Sequence, residues 1–263
     1  ARHEYEPFQL VLRPKQDLTN ASVSVSDLIL QSPPESYSIG ASNVEICVVE
    51  YVPVQKIVDP FATPGDYPDP LVPLQGSFSA SRGTNQPVWI TVYVPKNAPA
   101  GTYQGTVSLS LDGAAVAIPL SLVVRNFTLS DTTHTKTAYK LWLDQVWYKH
   151  TTREQSRQVW ELYMENFRRH RINPAIPHLY ANFEHRVAGD EVFLDTKAFD
   201  ETMMKYLDEF SFGGFNLLSP PPSTLGGYSR YSSGYQAILK KLIRAVMSHL
   251  RCQGWADRAY AFW

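Results

Sequence analysis

Up to about residue 130, apolar and polar positions alternate in short runs separated by Pro, Gly and Asn. Residues 8–12, 21–30, 44–54, 88–94, 102–111 and 115–124 carry this period-2 or β-branched pattern and predict strands. Six or more strands with turn signals between them, and no helical period of useful length, predict an antiparallel β-sandwich. Asp112-Gly113 joins the last two as a two-residue hairpin turn, because both residue types tolerate the positive φ it needs. Five prolines between residues 59 and 73 exclude a central strand there and predict a stiff, extended loop.

Beyond residue 130 the rhythm becomes strand, helix, strand, helix. Residues 138–143 predict a short strand, and Thr151 with Glu154 three residues on forms a capping box that opens a helix. Val159, Tyr163 and Phe167 place the apolar stripe of that helix on one face. Residues 173–177 predict a second strand. Phe199, Met203, Tyr206, Leu207 and Phe210 then mark a second helix, and residues 215–218 a third strand. From Tyr235 to Leu250 apolar residues recur at i, i+3, i+4 and i+7, the clearest helical pattern in the chain, and Gly254 supplies its stop. Residues 259–263 read as a fourth strand.

Strand–helix units that repeat after roughly 40 residues predict a parallel sheet, wound right-handed, with helices outside it. Eight such units close the commonest barrel, and four are present. The predicted fold class is multidomain, β plus α/β. An antiparallel β-sandwich spans 1–129, and the first half of a (β/α)8 TIM-type barrel spans 130–263, truncated at the fourth strand.

Composition narrows the class. Hydrophobic residues make up 44% of the 263, enough for a sizeable core, which excludes wholesale disorder. The 24 basic and 25 acidic residues leave a net charge of −1, without the basic excess of a nucleic-acid binder. Cys47 and Cys252 are far apart, which excludes a disulfide framework and a Cys-based zinc site and predicts two buried small hydrophobes. No apolar run approaches the ~18 residues of a membrane span. Nothing at the N-terminus has the basic-then-apolar pattern of a signal peptide. The seven His show no paired metal-ligand spacing, and neither a Gly-x-Ser-x-Gly elbow nor a phosphate-cradling loop occurs. No metal and no cofactor is expected.

In parallel α/β architectures the reactive groups collect at the C-terminal ends of the strands. That rule selects Trp142 and Asp144 after the first barrel strand, and His178 and Tyr180 after the second. The third strand delivers Asn216 and Ser219, and the fourth Trp263. Two indoles, a phenol, a carboxylate and an imidazole on one rim suit a sugar, whose C–H faces stack on rings while its hydroxyls take polar partners. Trp142, Asp144, His178, Tyr180 and Trp263 are the candidate substrate-binding residues. Each has a blander account alone: Trp142 as core, Asp144 as a loop cap, His178 as a bond to a backbone carbonyl.

Several segments resemble glycoside hydrolase family 123 and its uncharacterised relatives. They are Glu4-Tyr5-Glu6-Pro7-Phe8-Gln9-Leu10, Gly65-Asp66-Tyr67-Pro68-Asp69-Pro70-Leu71, and Trp89-Ile90-Thr91-Val92-Tyr93-Val94-Pro95 running into Pro99-Ala100-Gly101-Thr102-Tyr103-Gln104-Gly105. Gly254-Trp255-Ala256-Asp257-Arg258-Ala259-Tyr260 looks like the approach to that family's fourth barrel strand. The resemblance implies an N-terminal β-sandwich and a (β/α)8 catalytic barrel acting on β-linked N-acetylgalactosamine. It further implies a mechanism assisted by the substrate's 2-acetamido group, which an Asp orients while the adjacent Glu is the general acid.

That Asp-Glu pair is expected immediately after residues 259–263, and the sequence stops at Trp263. Asp190-Glu191 falls in a hairpin-like insert, and Asp200-Glu201 and Asp208-Glu209 fall on the second helix, so no catalytic residue is assigned. The chain is expected to be a fragment, inactive by itself, its open edge covered by the rest of the barrel or by a second chain. The intact protein is expected to hydrolyse a 2-acetamido glycoside. The alternatives are a non-catalytic carbohydrate-binding or structural module, and a relative that acts on another glycoside. The expected partner is a carbohydrate or glycoconjugate, with no nucleic acid and no membrane span, and a glycan-processing role favours a secreted or cell-envelope location.

Overall fold

Along Gln86–Val94 the side chains of Val88, Ile90, Val92 and Val94 are buried while Trp89, Thr91 and Tyr93 are only partly covered. This period-2 alternation is what a strand with one face on a core produces. The computed structural model describes residues 1–32, 37–132, 135–141, 152–217 and 223–261. The chain forms two compact units, Ala1–Ser130 and Asp131–Trp263.

Among its described residues the first unit holds ten strands: β1 Glu4–Leu12, β2 Leu18–Val25, β3 Leu28–Leu30, β4 Ser38–Ile39, β5 Val44–Val54, β6 Gly65–Pro73, β7 Phe78–Ala80, β8 Gln86–Val94, β9 Gly101–Leu111 and β10 Ala114–Val124. One antiparallel sheet runs β1-β8-β5-β6. In the other, β10 pairs with one side of β9, and β2 and β3 share its opposite side, flanked by β7 and β4. Inward residues of both sheets, among them Val88, Ile90 and Val92 facing Val23, Leu28, Tyr103 and Val107, form one core. The β9–β10 turn has φ of 48° at Asp112 and 94° at Gly113, the mirror-image turn that Asp-Gly specifies.

Two expectations for this unit need correction. Residues 59–73 are not loop throughout, because β6 runs through three of the five prolines as an edge strand paired only with β5. Proline's missing N–H is harmless on the side that faces no neighbour. Residues 21–30 form two strands instead of one. The break falls at Ser26 and Asp27, where Ser26 Oγ accepts from Thr106 N and Asp27 Oδ1 accepts from Ala41 N. Opposite the break, a Cβ on Gly105 would lie 2.4 Å from Leu28 Cδ2, so the close crossing requires glycine.

Among its described residues the second unit carries three α-helices: α1 Arg153–Arg169, α2 Lys197–Met203 and α3 Ser233–Cys252. A capping box does open α1, but Thr152 and Gln155 make it, one residue later than Thr151 and Glu154. The buried stripe shifts with it to Trp160, Met164 and Phe167, with Val159 and Tyr163 at its flank. After α2 the chain continues as a π-helix, Met204–Glu209, in which Phe210 N donates to Lys205 O at 2.9 Å. The extra residue per turn keeps both Tyr206 and Leu207 buried. At the end of α3, Trp255 N donates to Leu250 O and Gly254 N to Arg251 O around Gly254 at φ 75°, a Schellman stop. Two hairpins complete the unit: β11 Glu184–Ala188 with β12 Glu191–Asp195, and β14 Thr224–Leu225 with β15 Tyr228–Ser229. Cys47 is buried as expected, whereas Cys252, in the last turn of α3, is exposed.

Candidate functional site

Four short extended segments of the second unit lie side by side in chain order. Tyr139 bridges Pro174 in parallel, and Asn216 N donates to Ala175 O at 2.6 Å. β13 (Phe215–Asn216) then pairs in parallel with β16 (Ala259–Tyr260), extended by Leu217 N donating to Tyr260 O at 2.7 Å. The segment expected over 173–177 is thus a single bridge and a hydrogen bond, not a full strand. Pro174 and Pro177 explain this, because neither has an N–H to donate.

Alternation along these segments sorts their side chains. Phe215 is fully buried and meets Phe199 of α2 at 6.1 Å, so its face is the helical one. Asn216 and its ladder partner Tyr260 therefore take the other face. The Tyr260 hydroxyl is buried without a hydrogen-bond partner, and burial raises its pKa. Its ring lies 3.7 Å from where a Cβ on Gly214 would stand, and Arg258 O lies 3.3 Å from it, so glycine lets the two segments approach. At the start of the sheet Asn173 ties three segments together. Its N–H donates to Thr137 Oγ1, and its Oδ1 accepts from Gly213 N, both at 2.8 Å.

The structure separates the two predicted site residues that follow the second segment. His178 is 2% exposed and stands edge-on to Phe199 and Phe215, at 5.1 and 5.8 Å, with Nδ1 unpartnered. Desolvation pushes its pKa down to about 4, so the ring is neutral at physiological pH. Buried in this way, His178 packs against rings of α2 and of the third segment. Tyr180 turns instead toward α1, edge-on to Trp160 at 5.8 Å and beneath the Arg157 guanidinium, also at 5.8 Å. Trp142, Asp144, Ser219 and Trp263 lie outside the described residues. Tyr260 was missed in the sequence, although alternation from Ala259 already puts it on Asn216's face.

Among the described residues no adjacent Asp-Glu pair follows one of the four side-by-side segments. Asp190-Glu191 lies at the tip of the β11–β12 hairpin, where Lys241 reaches Asp190. Asp200 accepts from Thr196 Oγ1 at 2.9 Å and pairs with His249 at 2.7 Å, and Asp208 faces Arg258 at 3.7 Å. No three His, Cys, Asp or Glu side chains among the described residues gather as metal ligands, and no helix there is long and apolar enough to cross a membrane.

Residues 4–111 match the glycoside hydrolase 123 N-terminal domain. The chain resembles glycoside hydrolase family 123. A family 123 glycoside hydrolase from Clostridium perfringens, whose structure was solved to detail glycolipid glycan hydrolysis, superposes with a TM-score of 0.66 and 16% identity. The match covers 99% of this chain and 52% of that one, so this chain spans about half the length of the Clostridium protein. At that identity the likeness speaks for the fold, and it extends from the sandwich through the parallel segments. AvmM, which catalyses macrocyclization in alchivemycin A biosynthesis, aligns with a TM-score of 0.27 and 7% identity over 49% of this chain and 85% of that one, too low to carry an argument. No curated protein matches the chain.

Proposed function

We propose that the full-length protein is a glycoside hydrolase acting on a β-linked 2-acetamido sugar, N-acetylgalactosamine first among them, with the substrate's acetamido group assisting. The observation that carries this is the family 123 N-terminal domain at residues 4–111 on a chain whose fold follows a family 123 glycoside hydrolase over 99% of its length. We read residues 1–129 as the sandwich domain and 130–263 as the first half of a (β/α)8 barrel, a reading supported by four segments side by side in chain order, the first pair and the last pair parallel. In such a barrel the sugar sits at the C-terminal ends of the strands. Trp142, Asp144 and Trp263 supply that rim by their place in the sequence, whereas Tyr180, set against α1, and His178, packed on Phe199 and Phe215, lie on the helical side.

The second reading is a non-catalytic carbohydrate-binding module. It is favoured by the adjacent carboxylate pairs of the described residues lying on helices and at a hairpin turn instead of after one of the side-by-side segments. Incubating the full-length protein with an aryl β-N-acetylgalactosaminide separates the two. Release of the aryl alcohol supports the hydrolase. Saturable binding without release supports the module, and release only from a different aryl glycoside moves the substrate assignment.

A further inference from the structure

Beside Tyr180, on the helical side of the second segment, a cleft of about 290 Å³ opens between α1 and the segment formed by α2 and the π-helix. Arg157, Trp160, Glu161, Tyr180, Glu201 and Tyr206 line it. Tyr180 gives the cleft its partly exposed ring, set edge-on against the buried Trp160, whose indole N–H donates to Pro177 O at 3.3 Å. Glu161 is held in one orientation: Oε1 accepts from the Tyr206 hydroxyl at 2.8 Å and Oε2 from the Lys205 ammonium at 2.5 Å. The π-helix supplies both of those donors from consecutive positions. Arg157 and Glu201 are exposed and stand at the lip.

We propose that this cleft binds one neutral sugar unit, at a subsite apart from the strand-end rim. The charges favour a neutral ligand. Arg157 and Lys205 balance Glu161 and Glu201, so neither an anion nor a cation gains by entering. A neutral polyhydroxy ring does gain: its C–H face covers the Tyr180 ring, and its hydroxyls donate to the carboxylates and accept from Arg157. At about 290 Å³ the cleft sits at the lower limit of small-molecule sites, about 300–1,000 Å³, a size for one pyranose unit. Only the choice of a sugar as the ligand rests on the hydrolase reading.

NMR titration of the full-length protein with galactose and with N-acetylgalactosamine, following the Trp160 indole N–H, tests the proposal. Saturable shifts of that resonance are expected. Glu201→Gln and Arg157→Ala, both at exposed positions the fold tolerates, should each weaken binding about tenfold, the value of one hydrogen bond to a charged group. Absence of saturable shifts with either sugar overturns the cleft, and so do shifts that survive both variants. Binding abolished by Trp142→Ala but kept in Glu201→Gln puts the sugar on the rim and likewise overturns it. Cleft binding in a full-length protein that hydrolyses nothing would sink the hydrolase reading alone.

Discussion

The Tyr206 hydroxyl donates to Glu161 Oε1 at 2.8 Å and so joins the π-helix to the outer face of α1. Burial, together with the neighbouring carboxylate, pushes the phenol's pKa above its ordinary range. Tyr206→Phe removes the donor and keeps the ring, leaving Glu161 to Lys205. A hydrogen bond to a charged group is worth about 1.5–3 kcal/mol, and urea unfolding should show a loss of that order. An unchanged midpoint would mean that the π-helix does not depend on this bond.

Acid should weaken the second unit through His178. The ring's pKa lies near 4 in the folded chain, below its ordinary 6.5, so the unfolded chain binds a proton first as pH falls. Stability is full above 6.5 and declines as pH drops toward 4, by about 3 kcal/mol for this group. His178→Phe should flatten that part of the pH profile. Chemical denaturation followed by Trp160 and Trp255 fluorescence between pH 7 and pH 4 reads it, and an equally steep profile in the variant would contradict the assignment.

At Gly105 the sandwich has no room for a side chain. A Cβ there would meet Leu28 Cδ2 at 2.4 Å, Ser26 Oγ at 3.0 Å and the backbone oxygen of Asp27 at 3.1 Å. Gly105→Ala should cost roughly 1–3 kcal/mol, the range for overpacking. Thermal unfolding of the first unit measures it, and a neutral result would show that the β2–β3 break can relax.

The two thiols should differ sharply. Cys252 is exposed, whereas burial, and secondarily Glu45, raises the pKa of Cys47. A disulfide reagent at pH 8 should label one thiol per native chain quickly and the second only on unfolding. Rapid labelling of both would contradict the burial of Cys47.

Local pattern made much of this fold legible. The alternation in Gln86–Val94, the Asp112-Gly113 turn and the apolar stripe of Ser233–Cys252 each encode their structure within a few residues. What escaped the sequence depends on neighbours. Proline reads as a strand breaker until β6 is seen to have only β5 beside it. Thr151-Glu154 and Thr152-Gln155 are equally good caps in sequence, and burial of Trp160 and Met164 selects the second. His178 follows a strand end, as a site residue should, yet Phe199 and Phe215 from distant segments enclose it. Tyr180's turn toward Trp160 was equally hidden, because the ring contact joins two elements 20 residues apart in the chain.

The anomer first released from a β-linked 2-acetamido substrate tests the central claim most directly. Assistance by the substrate's acetamido group involves two displacements at the anomeric carbon and retains its configuration. Proton NMR of the full-length protein with an aryl β-N-acetylgalactosaminide should show the β-anomer of N-acetylgalactosamine first, with the α-anomer growing in later by mutarotation. The α-anomer appearing first, or no sugar released at all, would contradict the account.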